Sequence, residues 1–362
     1  MKALVPLLAM LLVAGKAGNA ERGKWERPTH SAHLLISPFT PDHARGILTA
    51  AIQAPEKKYG GKIALPGISG GALLRANHLL LVSDTGVGLT RVDNALARLS
   101  SGTVTPRQDE VLEPLPPGKV ELEDLEDAAW DGARDLYVIT SHSRTARGDS
   151  PESRYRLARL RFDATGKLLE TRQSDALLQA IVNHLPFLAD SIRRTPARTG
   201  LNIEGLAWDP QGQLLLGLRA PTITESTPRA HGGQEDAVVL RLKNPDQLFT
   251  QPGQPAVLGE VVKLDLHGQG IRGMAYDPRL KATWIVSGLS AEPGHPVTSP
   301  WRLWLWKGEG APQPAKLPAG LALEQPETVT PVELDGLPFL LLIDPGRTAS
   351  EYALIPTPEC QN

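Results

Sequence analysis

The sequence IEGLAW at positions 203–208, followed by QLLLGLR at positions 213–219, decides the fold. A polar residue opens a short apolar strand, the turn between the two strands reads DPQG, and a second apolar strand returns. Asp, Pro and Gly preset or tolerate the backbone angles of tight turns, so the segment predicts a β-hairpin. Four other segments repeat the pattern: SGGALL to LLLVSD (69–84), EDAAW to LYVIT (126–140), IRGMAY to WIVS (271–287) and ETVTPV to FLLLID (327–344).

Internal repeats with about four strands each are typical of the blades of a β-propeller. Alternating strands follow several of the hairpins, at 154–162, 238–242 and 301–306. We therefore predict an all-β protein, a single β-propeller with one short helical insertion. We expect six blades, of which five are visible as repeats and the sixth is closed by pairing a strand at 33–36 with a strand at 352–355. The 34 Gly and 32 Pro residues fit many short strands and turns.

The helical insertion is expected from Ala176 to about Arg194, because its apolar residues recur on one helical face. Ser174 or Asp175 provides the N-cap, and Pro186 should bend or interrupt the helix. We interpret it as a cover for the edge of the propeller. The alternating tryptophans at 301, 304 and 306 are interpreted as packing residues between blades.

The N-terminus resembles an export signal. Lys2 precedes an apolar run at 3–15, and small residues at 18–20 suit cleavage, so we expect a signal peptide at 1–20 and a propeller domain at 21–362. The protein is then periplasmic or secreted, without a membrane span. Its one cysteine, Cys360, allows no internal disulfide, and a net charge of −2 gives no reason to expect a nucleic-acid partner. We expect a monomer.

Propeller geometry brings distant residues together. The innermost strand of each blade starts on the same face where the second strand ends, so both sets of residues should surround one end of the channel. Four or more carboxylates there repel one another by roughly 1–4 kcal/mol per close pair, unless a metal ion or arginines offset the charge. The starts supply Ser69, Glu126, Asp127, Glu204, Arg272 and Glu327, and the ends supply Asp84, His142, Arg219 and Asp344.

Each candidate residue has two interpretations. As catalytic residues we name His142, Glu204, Arg219 and Arg272, with His142 as the general base because it ends a strand on this face. Alternatively, Glu204 and Glu126 hydrogen-bond backbone amides at blade starts, the arginines are their counter-ions, and His142 is a solvated loop residue. Ordinary turn chemistry explains Asp84 and Asp344 equally well.

Three of the repeats carry a resemblance. The segments LEDAAW (125–130), NIEGLAWD (202–209) and GIRGMA (270–275) resemble the esterase-like phytase propellers, and the chain from 69 to 346 looks like a bacterial propeller family of unknown function. Calcium-dependent propellers hold metal with carboxylates on the channel. The resemblance therefore implies Ca²⁺ or another divalent cation bound by Glu126, Asp127, Glu204 and Glu327. Arg272 departs from it, since it replaces a carboxylate and breaks the acidic ring.

Two functions follow. The first is a metal-assisted hydrolase of phosphoesters or esters, phytase-like or esterase-like, whose substrate is a small anionic molecule or an ester. The alternative is a non-catalytic propeller that binds a ligand or a protein on the same face, because a propeller does not by itself imply catalysis. The sequence GISGG at 67–71 matches a nucleophile elbow, but that motif requires a helix after the serine and a hairpin is predicted here.

Overall fold

The five predicted hairpins are the antiparallel inner strand pairs of five sheets. The structure is a computed structural model, which describes residues 60–84, 88–112, 122–223, 235–251, 253–289 and 301–358. Within the unit Lys57–Asn362, the chain begins with strand β1 (Gly60–Ile63) and then builds the blades in order. Because the predicted signal peptide and the start of the domain at residue 21 lie outside the described residues, both stay predictions.

Each blade is formed by a continuous stretch of chain, apart from the last. Blade 1 contains β2 (Ile68–Leu74), β3 (His78–Ser83), β4 (Leu89–Val92) and β6 (Val111–Leu112). Helix α1 (Ala95–Ser100) and the short strand β5 (Thr103–Val104) lie between β4 and β6 in the sequence, and β5 pairs in parallel with β1 in another sheet. Blade 2 contains β7 (Leu125–Trp130), β8 (Asp135–Thr140), β9 (Leu157–Phe162) and β10 (Leu168–Ser174).

Helix α2 (Ala176–His184) connects blades 2 and 3 and ends before Pro186, where a single turn of 3₁₀ helix follows. The predicted helix is therefore confirmed from Ala176 to His184, with its predicted interruption. It does not continue to about Arg194, because that part of the chain forms separate 3₁₀ turns at Pro186–Leu188 and Ser191–Arg193. Leu177 and Ile181 are buried on one face of the helix and pack on the side of the propeller. Blade 3 contains β11 (Asn202–Asp209), β12 (Gln213–Ala220), β13 (Ala237–Leu242) and β14 (Val262–Leu264), with helix α3 (Gln247–Thr250) between the last two.

The remaining two blades complete the ring. Blade 4 contains β15 (Gly270–Asp277), β16 (Ala282–Gly288), β17 (Trp301–Trp306) and β18 (Gln313–Pro314). Blade 5 contains β19 (Thr328–Leu334), β20 (Leu337–Asp344), β21 (Ser350–Pro356) and, as its fourth and fifth strands, β1 and β5. The tryptophans of β17 are buried between sheets, as predicted.

The number of blades is a correction, because the described structure has five and not six. The C-terminal strand β21 is part of the fifth repeat, and β1 pairs with it in antiparallel register from Gly60 opposite Ala353 to Ile63 opposite Ser350. Strands at the two ends of the propeller thus complete one blade instead of forming an additional one. The strand expected at 33–36 lies outside the described residues.

The inner strands approach one another too closely for ordinary side chains. A Cβ added to Gly273 would lie 1.9 Å from the carbonyl oxygen of Glu327, and one added to Gly70 would lie 2.4 Å from the Cα of Asp127. Glycine is therefore required where neighbouring inner strands meet. The result is a narrow channel whose two ends carry different chemistry. No helix among the described residues has the length and apolar character needed to cross a membrane.

Candidate functional site

The inner strand carries a β-bulge at the same position in four of the five blades. The residue that has no partner on the second strand is Ser69 in blade 1, Glu126 in blade 2, Glu204 in blade 3 and Arg272 in blade 4. A bulge leaves one residue out of the ladder and re-aims its side chain. In blade 5, Glu327 directly precedes the inner strand β19. We call this end of the channel the upper mouth and define it by Glu126, Glu204, Arg272 and Glu327.

Glu204 is the centre of an ion-pair chain across three blades. Its Oε1 atom accepts hydrogen bonds from Nη1 of Arg219 at 2.7 Å and from Nδ2 of Asn202 at 2.8 Å. Its Oε2 atom lies 3.1 Å from Nε of Arg272, and a nitrogen of the same guanidinium pairs with Glu327. The two arginines therefore offset the charge of two carboxylates, and the predicted counter-ion role is observed in the geometry.

Glu126 lies beside this chain in a region rich in carboxylates. Burial raises its pKa well above the usual range of a glutamate, and the nearby charges of Glu204, Asp124 and Asp84 raise it further, while Arg219 opposes them. A group in this environment keeps its proton at a pH where an exposed glutamate has lost it. The upper mouth thus combines a carboxyl group whose pKa is raised with a carboxylate that is held in ion pairs.

The next layer outward contains Asp124, Arg154 and Asp84. Arg154 forms an ion pair with Asp124, and its guanidinium also donates to the hydroxyl of Ser143 at 2.8 Å. Partial burial raises the pKa of Asp84, assisted by the charges of Asp124 and Glu204. Asp124 and Arg154 were not predicted from the sequence. The positive φ of 58° at Asp124, two residues before the bulge, belongs to the tertiary structure and leaves no clear sequence signal.

The two arginines of the chain differ in exposure. The side chain of Arg219 is 30% exposed, whereas that of Arg272 is 8% exposed. The charge of Glu204 raises the pKa of Arg219, and burial lowers the pKa of Arg272. Arg219 also donates from Nε to the carbonyl of Leu289 at 3.2 Å, which fixes its orientation. Arg219 is therefore the cation that a bound molecule can reach at the upper mouth.

Asp127 does not face the upper mouth with the other carboxylates. Its Oδ2 atom accepts the backbone N–H groups of Leu206 at 2.8 Å and Met274 at 3.2 Å, and its Oδ1 atom accepts that of Ala128 at 2.8 Å. Burial raises the pKa of Asp127 well above the ordinary value, although these donors and Gly71 favour the anion. Asp127 connects the inner strands across the channel. The backbone-binding role expected for Glu126 and Glu204 is observed here instead.

His142 is buried away from this cluster. Its Nδ1 atom lies 2.9 Å from the carbonyl oxygen of Thr140, and its ring packs edge-on against Tyr155, with centroids 6.1 Å apart. Burial lowers its pKa to about 4, so the imidazole is neutral at pH 7. At 1% exposure it is not a solvated loop residue. Its contacts in the described part of the chain are Thr140, Arg154 and Tyr155, not the upper-mouth carboxylates.

The other predicted residues have structural contacts. Ser69 donates to the carbonyl of Leu125 at 2.5 Å and lies within a strand, which excludes the nucleophile elbow. Asp344 accepts the backbone N–H groups of Glu324 and Gln325, at 2.5 and 2.9 Å. Asp344 therefore has a structural role, but it holds a preceding loop and not the local turn that was expected.

Three of the four carboxylates implied as metal ligands are engaged by protein donors. The oxygens of Asp127 accept backbone amides, and Glu204 and Glu327 pair with arginines. Among the described residues, no three His, Cys, Asp or Glu side chains are grouped in a way that would hold a metal ion. Divalent cations prefer several free oxygen ligands. The residues present therefore do not fit the implied cation.

Comparison with protein-family models and with curated protein sequences gives no match. Solved structures give matches over most of the chain. One is the PQQ-bound aldose sugar dehydrogenase of Streptomyces coelicolor, with 19% identity, a TM-score of 0.38, and coverage of 83% of this chain and 99% of the other. Another is a GH43 β-1,3-galactosidase with galactodeoxynojirimycin, with 10% identity, a TM-score of 0.44, and coverage of 81% and 93%.

A third similar structure is the selenomethionine-substituted virginiamycin B lyase of Staphylococcus aureus. It has 10% identity and a TM-score of 0.35, and the alignment covers 82% of this chain and 99% of the lyase. None of the three TM-scores reaches 0.5, so no activity is transferred from these proteins to this chain. The function must be inferred from the site.

Proposed function

We propose that the upper mouth is the active site of a hydrolase that acts on small uncharged esters. The observation that carries the proposal is the bulge repeated in four successive blades, which redirects Glu126, Glu204 and Arg272. Bulges are frequent beside active sites, where they re-aim a side chain at the cost of ladder hydrogen bonds. A merely structural ring does not require the same irregularity in blade after blade.

Glu126 is suited to be the general acid. Its pKa is raised by burial and by three neighbouring carboxylates, so it holds its proton at a higher pH than an exposed glutamate does. Two carboxyl groups whose surroundings separate their protonation states are a recurrent acid–base arrangement. Glu204, paired with Arg219 and Arg272, is the carboxylate of that arrangement.

Hydrolysis requires a proton for the leaving alkoxide and a donor for the oxyanion. Water adds to the ester carbonyl, the C–O bond to the alcohol breaks, and Glu126 donates its proton to the departing oxygen. The proton released from the attacking water restores Glu126. Arg219, the more exposed of the two arginines, is placed to stabilise the negative charge on the carbonyl oxygen.

The charge of the upper mouth favours an uncharged substrate. Three arginines, Arg154, Arg219 and Arg272, already pair with carboxylates. A phosphoester dianion would therefore have to compete with these carboxylates for each of the three guanidinium groups. The resemblance to the esterase-like phytases supports ester hydrolysis as the reaction class. The expected divalent cation stays a prediction, and a chelator tests it.

The test is hydrolysis of p-nitrophenyl acetate and butyrate, compared with p-nitrophenyl phosphate, by the purified protein with and without EDTA. We expect ester hydrolysis that EDTA does not change. Glu126→Gln should lower kcat by about 100-fold or more, because a general acid contributes at least that factor. Glu333→Gln is the matched control, since Glu333 is exposed near the other end of inner strand β19.

Three results would contradict this function. If Glu126→Gln, with the melting temperature of the wild type, hydrolyses the esters at the wild-type rate, Glu126 is not the general acid. If the activity follows added Ca²⁺ and phosphoesters are preferred, the metal-assisted alternative is correct. Binding of small esters without turnover would favour the non-catalytic alternative.

A further inference from the structure

A cavity of about 430 Å³ opens at the opposite end of the channel, where the inner strands finish. All five blades contribute one large apolar residue at the equivalent position of the inner strand. We call this end the lower mouth and define its rim by Leu73, Trp130, Trp208, Tyr276 and Pro331. Each of these five residues is partly exposed.

Small residues next to the rim create the depth of the cavity. The residue before each rim position is Ala72, Ala129, Ala207, Ala275 or Thr330. Methyl-sized side chains leave free space inside a ring of large ones. A volume of a few hundred cubic ångströms with apolar and aromatic walls is typical of small-molecule sites, which have volumes of about 300–1,000 Å³.

The aromatic walls are held in place by neighbours. Trp208 stacks on Tyr137, with centroids 5.2 Å apart and an interplanar angle of 10°. Trp130 packs edge-on against Phe162 at 6.4 Å. Side chains fixed by packing lose little conformational freedom when a ligand binds, which favours affinity.

Two polar groups of the lining are already engaged by backbone groups. The Oδ1 atom of Asp131 accepts the backbone N–H groups of Ala133, Arg134 and Asp135 at 2.7, 2.8 and 3.1 Å. The hydroxyl of Thr330 donates to the carbonyl of Gly71 at 2.9 Å. A charged or hydroxyl-rich ligand would lose its hydration without gaining partners from these two groups. A flat apolar ligand loses nothing there and gains contact with the aromatic walls.

We propose that the lower mouth is a second ligand site, which binds a small uncharged molecule carrying a flat apolar ring. The site is separate from the upper mouth, because it uses the last residues of the inner strands instead of the first. The inference therefore does not depend on the proposed hydrolase.

The experiment uses the neutral fluorescent probe N-phenyl-1-naphthylamine, titrated into the full-length protein, with competition by benzyl alcohol and by benzoate. We expect saturable binding that benzyl alcohol displaces and benzoate does not. Trp208→Ala and Tyr276→Ala should each bind about tenfold more weakly, which is the upper range of one aromatic contact. Leu169→Ala is the control, because Leu169 is a 59% exposed residue on the outer strand β10.

Circular dichroism and thermal melting establish that each variant is folded. If Trp208→Ala unfolds the protein because the Trp208–Tyr137 stack is lost, Tyr276→Ala alone tests the proposal. The proposal is overturned if the wild type shows no saturable binding. It is overturned as well if folded Trp208→Ala and Tyr276→Ala bind the probe as the wild type does. Equal displacement by benzoate would refute the requirement for an uncharged ligand.

Discussion

The two mouths of the channel are built from the same five strands, yet they differ in chemistry. In β11, Glu204 faces the upper mouth and Trp208, four residues later, is part of the lower rim. The upper end is bulged and charged, whereas the strand pairing after each bulge is regular and places Trp130, Trp208 or Tyr276 at its last pair or one residue before it. The chemical surroundings of a residue therefore depend more on its position along the inner strand than on the blade to which it belongs.

Asp127 lies between the two mouths and should give the largest effect on stability. Asp127→Ala leaves the buried N–H groups of Leu206 and Met274 without acceptors. At roughly 1–3 kcal/mol for each unsatisfied group, the free energy of unfolding should fall by about 2–6 kcal/mol. Urea denaturation measures it, with the exposed Asp109→Ala as control. A loss below about 1 kcal/mol would show that Asp127 does not hold the channel together.

His142 provides the next largest effect and belongs to neither mouth. Its pKa is lowered to about 4 in the folded protein from an ordinary value of 6.5, so the unfolded chain binds the proton more readily. The contribution of the neutral histidine to the free energy of unfolding is complete above pH 6.5. That free energy should fall by about 3 kcal/mol as the pH falls to 4.

His142→Asn should remove this acid sensitivity, since asparagine tolerates the positive φ of 53° at this position. Unfolding by urea at pH 4, 5.5 and 7 measures the difference. His184→Asn, which removes an exposed histidine of α2, should keep the wild-type behaviour. Parallel pH profiles for His142→Asn and the wild type would show that the histidine titrates normally.

The smallest expected effect is the pH dependence of stability that Glu126 causes, and it distinguishes the upper mouth from the lower mouth. Glu126 has a raised pKa in the fold, so its contribution to stability is complete below about pH 4.5 and is lost as the pH rises through the folded pKa. Within that window the wild type should lose about 1.4 kcal/mol per pH unit relative to Glu126→Gln. Tyr276→Ala at the lower mouth should show the wild-type slope. An identical slope for Glu126→Gln would mean that the upper mouth holds no protonated glutamate.

The sequence determined the strands and their pairing within each repeat. The alternation of apolar residues and the turn residues, such as those at 209–212, are local signals that extend over a few positions. Hairpins such as β11–β12 can therefore be predicted from the sequence without a structure. Because the repeats are equivalent, the sequence also predicted that Glu126, Glu204, Arg272 and Glu327 occupy corresponding positions in their blades. The structure confirms the single propeller and brings Glu204, Arg272 and Glu327 into contact.

Ring closure was decided by tertiary structure alone. Whether β1 completes a fifth blade or starts a sixth depends on pairing with β21, almost three hundred residues away, and no local pattern carries that information. The bulges are equally non-local, because a strand is bulged only relative to a partner. The bulges explain why two residues that are adjacent in sequence have different surroundings. Glu126 is left out of the ladder, while Asp127 accepts a backbone N–H group from another blade.

The separation of His142 from the carboxylates and the cavity of the lower mouth have the same origin. Both follow from how five sheets pack around a narrow channel, where glycine at Gly70 and Gly273 lets the inner strands meet. The sequence thus determined which residues form strands and which types stand at their two ends. The packing of the blades decided which side chains are charged, which are engaged and which are open to a ligand, because burial and partners exist only in the closed ring.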